Sequence, residues 1–105
     1  MTVISAGAAD LPEGEMRCIH LPCGRPVAVY HVAGVFYATD DTCSHGQASL
    51  TDEGMLLDHK IVCGWHGGAF DVRTGEPLDL PCMDPIRAYP VVQRDGELFV
   101  ETGGG

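Results

Sequence analysis

Positive charge is the scarcest thing in this sequence. Six Lys and Arg stand against fifteen Asp and Glu, for a formal charge of −9 over 105 residues. Phosphates would repel such a chain, which excludes nucleic acid and an anionic membrane surface as expected partners. No apolar run approaches the length that crosses a bilayer. The stretch 1–16 has neither a positive n-region nor the apolar core of an export signal, so the expected location is cytoplasmic. No internal repeat, heptad or low-complexity block occurs, and helical periodicity is weak throughout. Gly7, Gly14 and Gly24 do not form a nucleotide-binding fingerprint, and there is no P-loop. Five cysteines is an odd number, which argues against a disulfide framework and fits a reducing compartment.

What remains is a small β protein. Fourteen Gly and seven Pro supply turns, and 105 residues allow one domain and one core. Strand-like runs occur at 17–21, 27–31 and 35–39, the last two forming a hairpin around 32–34. Short runs at 55–57 and 60–62 pair around Asp58-His59, and 69–72 leads into the Thr74-Gly75 turn. Residues 87–93 and 97–101 flank Arg94-Asp95-Gly96, a strong hairpin signal. Pro90 within a strand implies an edge position or a bulge. The fold class expected is all-β: an antiparallel sandwich or barrel base from 1–41 and 85–105, with an inserted subdomain at about 42–84.

The chemistry lies in that insert. Cys43-Ser44-His45 is followed, after seventeen residues, by Cys63-Gly64-Trp65-His66. Each segment offers one thiolate and one imidazole. Structural zinc sites more often pair like with like, as C-x2–4-C and H-x3–5-H. Two mixed pairs suit a [2Fe–2S] cluster with two Cys on one iron and two His on the other.

The C-x-H and C-x-x-H pattern, with the whole stretch 43–71 and the segments 72–77 and 80–85, resembles the Rieske ferredoxins of aromatic-ring dioxygenase systems. The resemblance implies a β base with the cluster at its tip. It implies Cys43 and Cys63 on the inner iron and His45 and His66 on the outer one. It also implies a single Rieske domain over 1–105 that is no enzyme itself. Such a carrier passes one electron at a time from a flavin-dependent NAD(P)H reductase to a terminal dioxygenase, with nothing demanding more than a monomer.

High-potential members carry an extra Cys in each loop, and a Ser and a Tyr hydroxyl after the second His. Here Ala48, Gly64, Gly68 and Phe70 occupy those places. Two neutral imidazoles leave the oxidised site about neutral. Without the extra hydroxyl donors, the expected potential lies near the bottom of the range of about −150 to +300 mV. Pro81 resembles the proline loop that covers the cluster, with Cys82 beside it. Gly46, Gly67 and Gly68 allow close backbone approach, and Trp65 packs against the insert.

Other readings stay open on the residues. These are a Rieske-like small subunit of a nitrite reductase, a fragment of a Rieske oxygenase, and a zinc-stabilised Cys2His2 interaction module. No H-x4-H pair follows the insert to hold a mononuclear iron. Cys18, Cys23 and Cys82 read as thiols or small hydrophobes, and His20, His31 and His59 as surface or satisfied residues. Nine carboxylates between Asp40 and Asp84, offset only by Lys60 and Arg73, form a solvated surface or an acidic docking face for basic partners.

Overall fold

Strand β3 (Pro26–Val32) has a nearly continuous buried pattern rather than an alternating one. The computed structural model, which describes residues 3–43, 49–63, 68–79 and 84–102, shows why. The strand divides two hydrophobic cores. Val27 and Val29 pack with Ala6, Leu11, Ala38, Tyr89, Leu98 and Val100. Ala28, Tyr30 and Val32, from the alternate positions, pack with Cys43, Leu50, Ile61, Cys63, Phe70, Val72 and Ile86. A strand buried on both faces reads as an unbroken apolar run. Each fully buried Val, Ile, Leu or Phe side chain contributes on the order of 1.5–3 kcal/mol.

Three antiparallel sheets surround these cores. In one, β3 is flanked by β2 (Met16–His20) and β4 (Val35–Asp40), with β9 (Ala88–Tyr89) beyond β4. In a second, β11 (Glu97–Glu101) lies between β1 (Val3–Ala8) and β10 (Val91–Arg94). In the third, the order is β5 (Met55–Leu57), β6 (Lys60–Val62), β7 (Ala69–Asp71) and β8 (Pro77–Asp79). The one helix among the described residues is α1 (Leu50–Glu53).

The all-β architecture agrees with the sequence expectation, with instructive differences. The run expected at 87–93 is two strands. Pro90 has no N–H to donate, and the chain changes sheets there: β9 pairs with β4 and β10 with β11. Its carbonyl still accepts from Glu101 N at 2.9 Å. The hairpin expected at 27–39 turns on two residues, Ala33 and Gly34, both with positive φ, and Val32 belongs to the strand. Three elements carried little signal. β1 is rich in Ala and Gly, β8 begins with a proline at a sheet edge, and α1 is a single turn.

The turn after β7 ties the third sheet to the base. Gly75 has φ +81°, its N–H donates to Asp71 O at 2.7 Å, and its carbonyl accepts from Ile86 N at 2.9 Å. A Cβ there would stand 1.9 Å from Ile86 O. Gly75→Ala is therefore expected to cost more than the roughly 1–2 kcal/mol of a left-handed non-glycine residue, because the backbones must also separate. In a domain this size that lowers the melting temperature by roughly 4–8 °C per kcal/mol. Thermal unfolding followed by circular dichroism checks it, and an unchanged melting point would contradict the close approach.

Candidate metal centre

The two segments that carry the candidate ligands are each closed at the base by antiparallel pairing. An isolated antiparallel bridge, Thr42 to Ser49, closes residues 43–48. The β6–β7 pair Val62 to Ala69 closes residues 63–68, and Cys63 N donates to Gly68 O at 2.6 Å. Each cysteine is the first residue of its loop. Both belong to the same buried cluster, with Cys43 2 % and Cys63 3 % exposed. His45 and His66, like Gly46, Gln47, Ala48, Gly64, Trp65, Gly67, Pro81 and Cys82, lie outside the described residues. Among the described residues no three His, Cys, Asp or Glu side chains group as a metal site.

Helix α1 follows the first loop. Ser49 caps it by accepting from Asp52 N at 3.3 Å, and Gly54 ends it, donating to Leu50 O at 2.9 Å. A Cβ on Gly54 would meet Leu50 O at 2.4 Å and Val62 O at 2.9 Å. The end of α1 is thus pressed against the strand that leads to Cys63. The Ser49 cap and the Gly54 stop are signals present in the sequence, though too short a helix separates them to show periodicity.

Behind the cysteines, Tyr30 is fully buried and its hydroxyl lies 2.9 Å from Thr39 Oγ1. Thr39 Oγ1 donates onward to Asp40 O at 2.9 Å, so Tyr30 is the donor in the first bond. Burial holds the Tyr30 phenol above its ordinary range. Asp40 accepts from Tyr89 Oη at 2.6 Å. Asp41 is buried and accepts from Ser49 and Thr51. No hydroxyl stands at 68 or 70, where Phe70 is fully buried beside the cysteines.

The remaining candidates are satisfied or superficial. Nδ1 of His31 lies 2.7 Å from Leu11 O, and its ring stacks on Phe36 with centroids 4.2 Å apart. His59 lies 3.3 Å from Asp58 and edge-on to Tyr37. His20 is exposed. Cys18 and Cys23 are exposed thiols outside any disulfide. Partial burial and the nearby Asp41 carboxylate push the Cys18 thiol up, away from a reactive thiolate. Of the nine carboxylates, Asp41 faces the interior and Asp71 pairs with Arg73, while Asp52, Glu53, Asp58, Glu76 and Asp84 are exposed.

The donor set fits an iron–sulfur cluster. Two thiolate-forming residues belong to one apolar core, at the roots of loops that each carry one imidazole further along the sequence.

Comparison with known proteins agrees. Residues 2–90 match the model of the Rieske [2Fe-2S] domain. The chain is 47% identical over 94 residues to the ferredoxin component of the p-cumate 2,3-dioxygenase system of Pseudomonas putida, covering 90% of this chain and 80% of the relative. It is 45% identical over 93 residues to ferredoxin CarAc of Metapseudomonas resinovorans, covering 89% and 86%. Among solved structures it superposes with a TM-score of 0.88, at 43% identity, on a chain of the complex of reduced oxygenase and oxidized ferredoxin in carbazole 1,9a-dioxygenase, covering 93% and 91%.

The hairpin that presents Cys63 continues into the Asp71–Arg73 pair, with Arg73 Nη2 2.8 Å and Nε 3.0 Å from the carboxylate. These bonds hold the Asp71 carboxyl below the usual carboxylate range. A depressed folded value contributes stability that is present above the unfolded value of about 3.9 and lost as pH falls through the folded one. Arg73→Leu is therefore expected to move acid unfolding to higher pH. Circular dichroism against pH for both proteins tests this, and coincident curves would remove the pair from the stability balance.

Proposed function

The chain belongs to the Rieske [2Fe-2S] domain family, and on that premise we propose that it shuttles single electrons from a flavin-dependent NAD(P)H reductase to a terminal aromatic-ring dioxygenase. A Rieske-type [2Fe–2S] cluster is its cofactor. In this reading residues 1–105 are one domain, working as a monomer in the cytoplasm. The observation that carries it is the pairing of two closed loops, each rooted on a buried cysteine in a shared core.

Cys43 and Cys63 would hold one iron as thiolates, and His45 and His66 the other as neutral imidazoles. When bound, the cluster supplies a centre that takes up and gives back one electron. The chain does the rest. Phe70, Ile61 and Leu50 exclude water from the cysteine side. The bridge at Thr42–Ser49 and the ladder at Val62–Ala69 set the loop roots. The exposed Asp52, Glu53 and Asp58 give the insert a negative surface for basic partners.

Electron paramagnetic resonance of the dithionite-reduced protein, with iron and acid-labile sulfide analysis, tests the reading. A rhombic signal with average g below the free-electron value is expected, with matched iron and sulfide. Zinc without a signal would refute the carrier role. His45→Ala and His66→Ala are each expected to abolish that signal, and a retained wild-type spectrum in either would remove that histidine from the ligand set. Raising ionic strength from about 0.01 M to 1 M shortens the screening length from about 30 Å to 3 Å. Reduction by a basic partner protein should slow accordingly in stopped-flow, whereas salt-independent rates would leave the carboxylates as a solvated surface only.

A further inference from the structure

Among the described residues Asp41 is the one fully buried carboxylate, at 2 % exposure. Its Oδ2 accepts from Ser49 Oγ at 2.5 Å. Its Oδ1 accepts from Thr51 N and Thr51 Oγ1, both at 2.8 Å. The main chain joins in: Asp41 O accepts from Leu50 N at 2.7 Å, and Asp41 N donates to Pro26 O at 3.2 Å on β3. One residue before the first loop therefore grips three residues after it and is itself fixed to the strand between the two cores.

The grip is more than a helix cap. Ser49 already serves α1 as its N-cap, so a carboxylate from eight residues upstream is not needed to start one helical turn. The contrast with the second loop is informative. There β6 and β7 form a backbone ladder up to the loop, and Cys63 N donates to Gly68 O across its base. Among the described residues the first loop is closed by the single Thr42–Ser49 bridge, because its far side continues as a helix rather than a strand. The Asp41 side chain stands in for the missing ladder.

Resting on the reading of Cys43 and His45 as ligands, we propose that Asp41 is a positioning residue for the cluster. Its carboxylate, acting through Ser49 and Thr51, sets the span at the root of the loop that carries those two residues. Groups that orient metal ligands typically cost 10–100-fold in metal affinity when removed. Asp41→Asn keeps the shape: the amide oxygen accepts from Thr51, and its NH2 group donates to Ser49 Oγ. Asp41→Ala removes the grip, and Thr51→Val removes one of its bonds with little change of volume.

The test measures chelator-driven iron release, by loss of visible absorbance, and the g-values of the reduced cluster in all four loaded proteins. Asp41→Ala is expected to release iron roughly 10–100-fold faster with shifted g-values. Asp41→Asn should stay close to wild type, and Thr51→Val should fall between. Wild-type release and g-values in Asp41→Ala would overturn the proposal. So would an Asp41→Asn protein as leaky as Asp41→Ala, since charge rather than position would then be at work. If Asp41→Ala does not fold, Thr51→Val decides, and unaltered release and g-values there overturn it. Wild-type protein without a Rieske signal would instead defeat the ligand reading on which the proposal rests.

Discussion

The double burial of β3 is the constraint on which the rest of this molecule depends. A strand with apolar side chains on both faces must be covered twice, and this chain covers it with different material on each side. The terminal strands β1, β10 and β11 close one core. The insert, with its short third sheet and the single turn of α1, closes the other. Cys43 and Cys63 are part of that second covering. Their burial follows from the same hydrophobic free energy that seats Phe70 and Ile61 against Tyr30.

The two loops are held by unlike means. Backbone pairing roots the second, and it depends little on which side chains occupy β6 and β7 beyond their apolar fit. The first leaves a strand and enters a helix, so its root rests on an isolated bridge, a buried carboxylate and two hydroxyl residues. The close approach of Gly54 to Val62 O then holds the end of α1 against β6 without a side chain at all. Three different kinds of contact thus converge on one small region, and each limits a different set of substitutions.

Much of this was legible in the sequence. The unbroken apolar run at 27–30, the Arg94-Asp95-Gly96 turn and the paired runs at 55–57 and 60–62 all correspond to elements found. The Cys and His pairs were visible as a pattern of types and spacing, and the structure brings Cys43 and Cys63 into one core. Pro90 reads in the sequence as an edge position or a bulge, not as a change of sheets, because a missing N–H says where a ladder stops and not where the next begins. The inward turn of Asp41 was invisible. In the sequence it is one of several neighbouring carboxylates, and only the fold shows that Ser49 and Thr51 return to meet it.

The pairing of the first strand with the last has its own consequence. Val3 stands opposite Glu101, so the chain enters and leaves through adjacent strands, about 4.7–4.9 Å apart. A unit with entry and exit this close behaves as a bead that can be spliced into another polypeptide without stretching its host. Appended segments at either end would leave from one place, and a duplication or fusion would need only a short linker. The same adjacency makes a circularly permuted chain feasible, with its new ends opened at an exposed hairpin turn such as Ala33-Gly34.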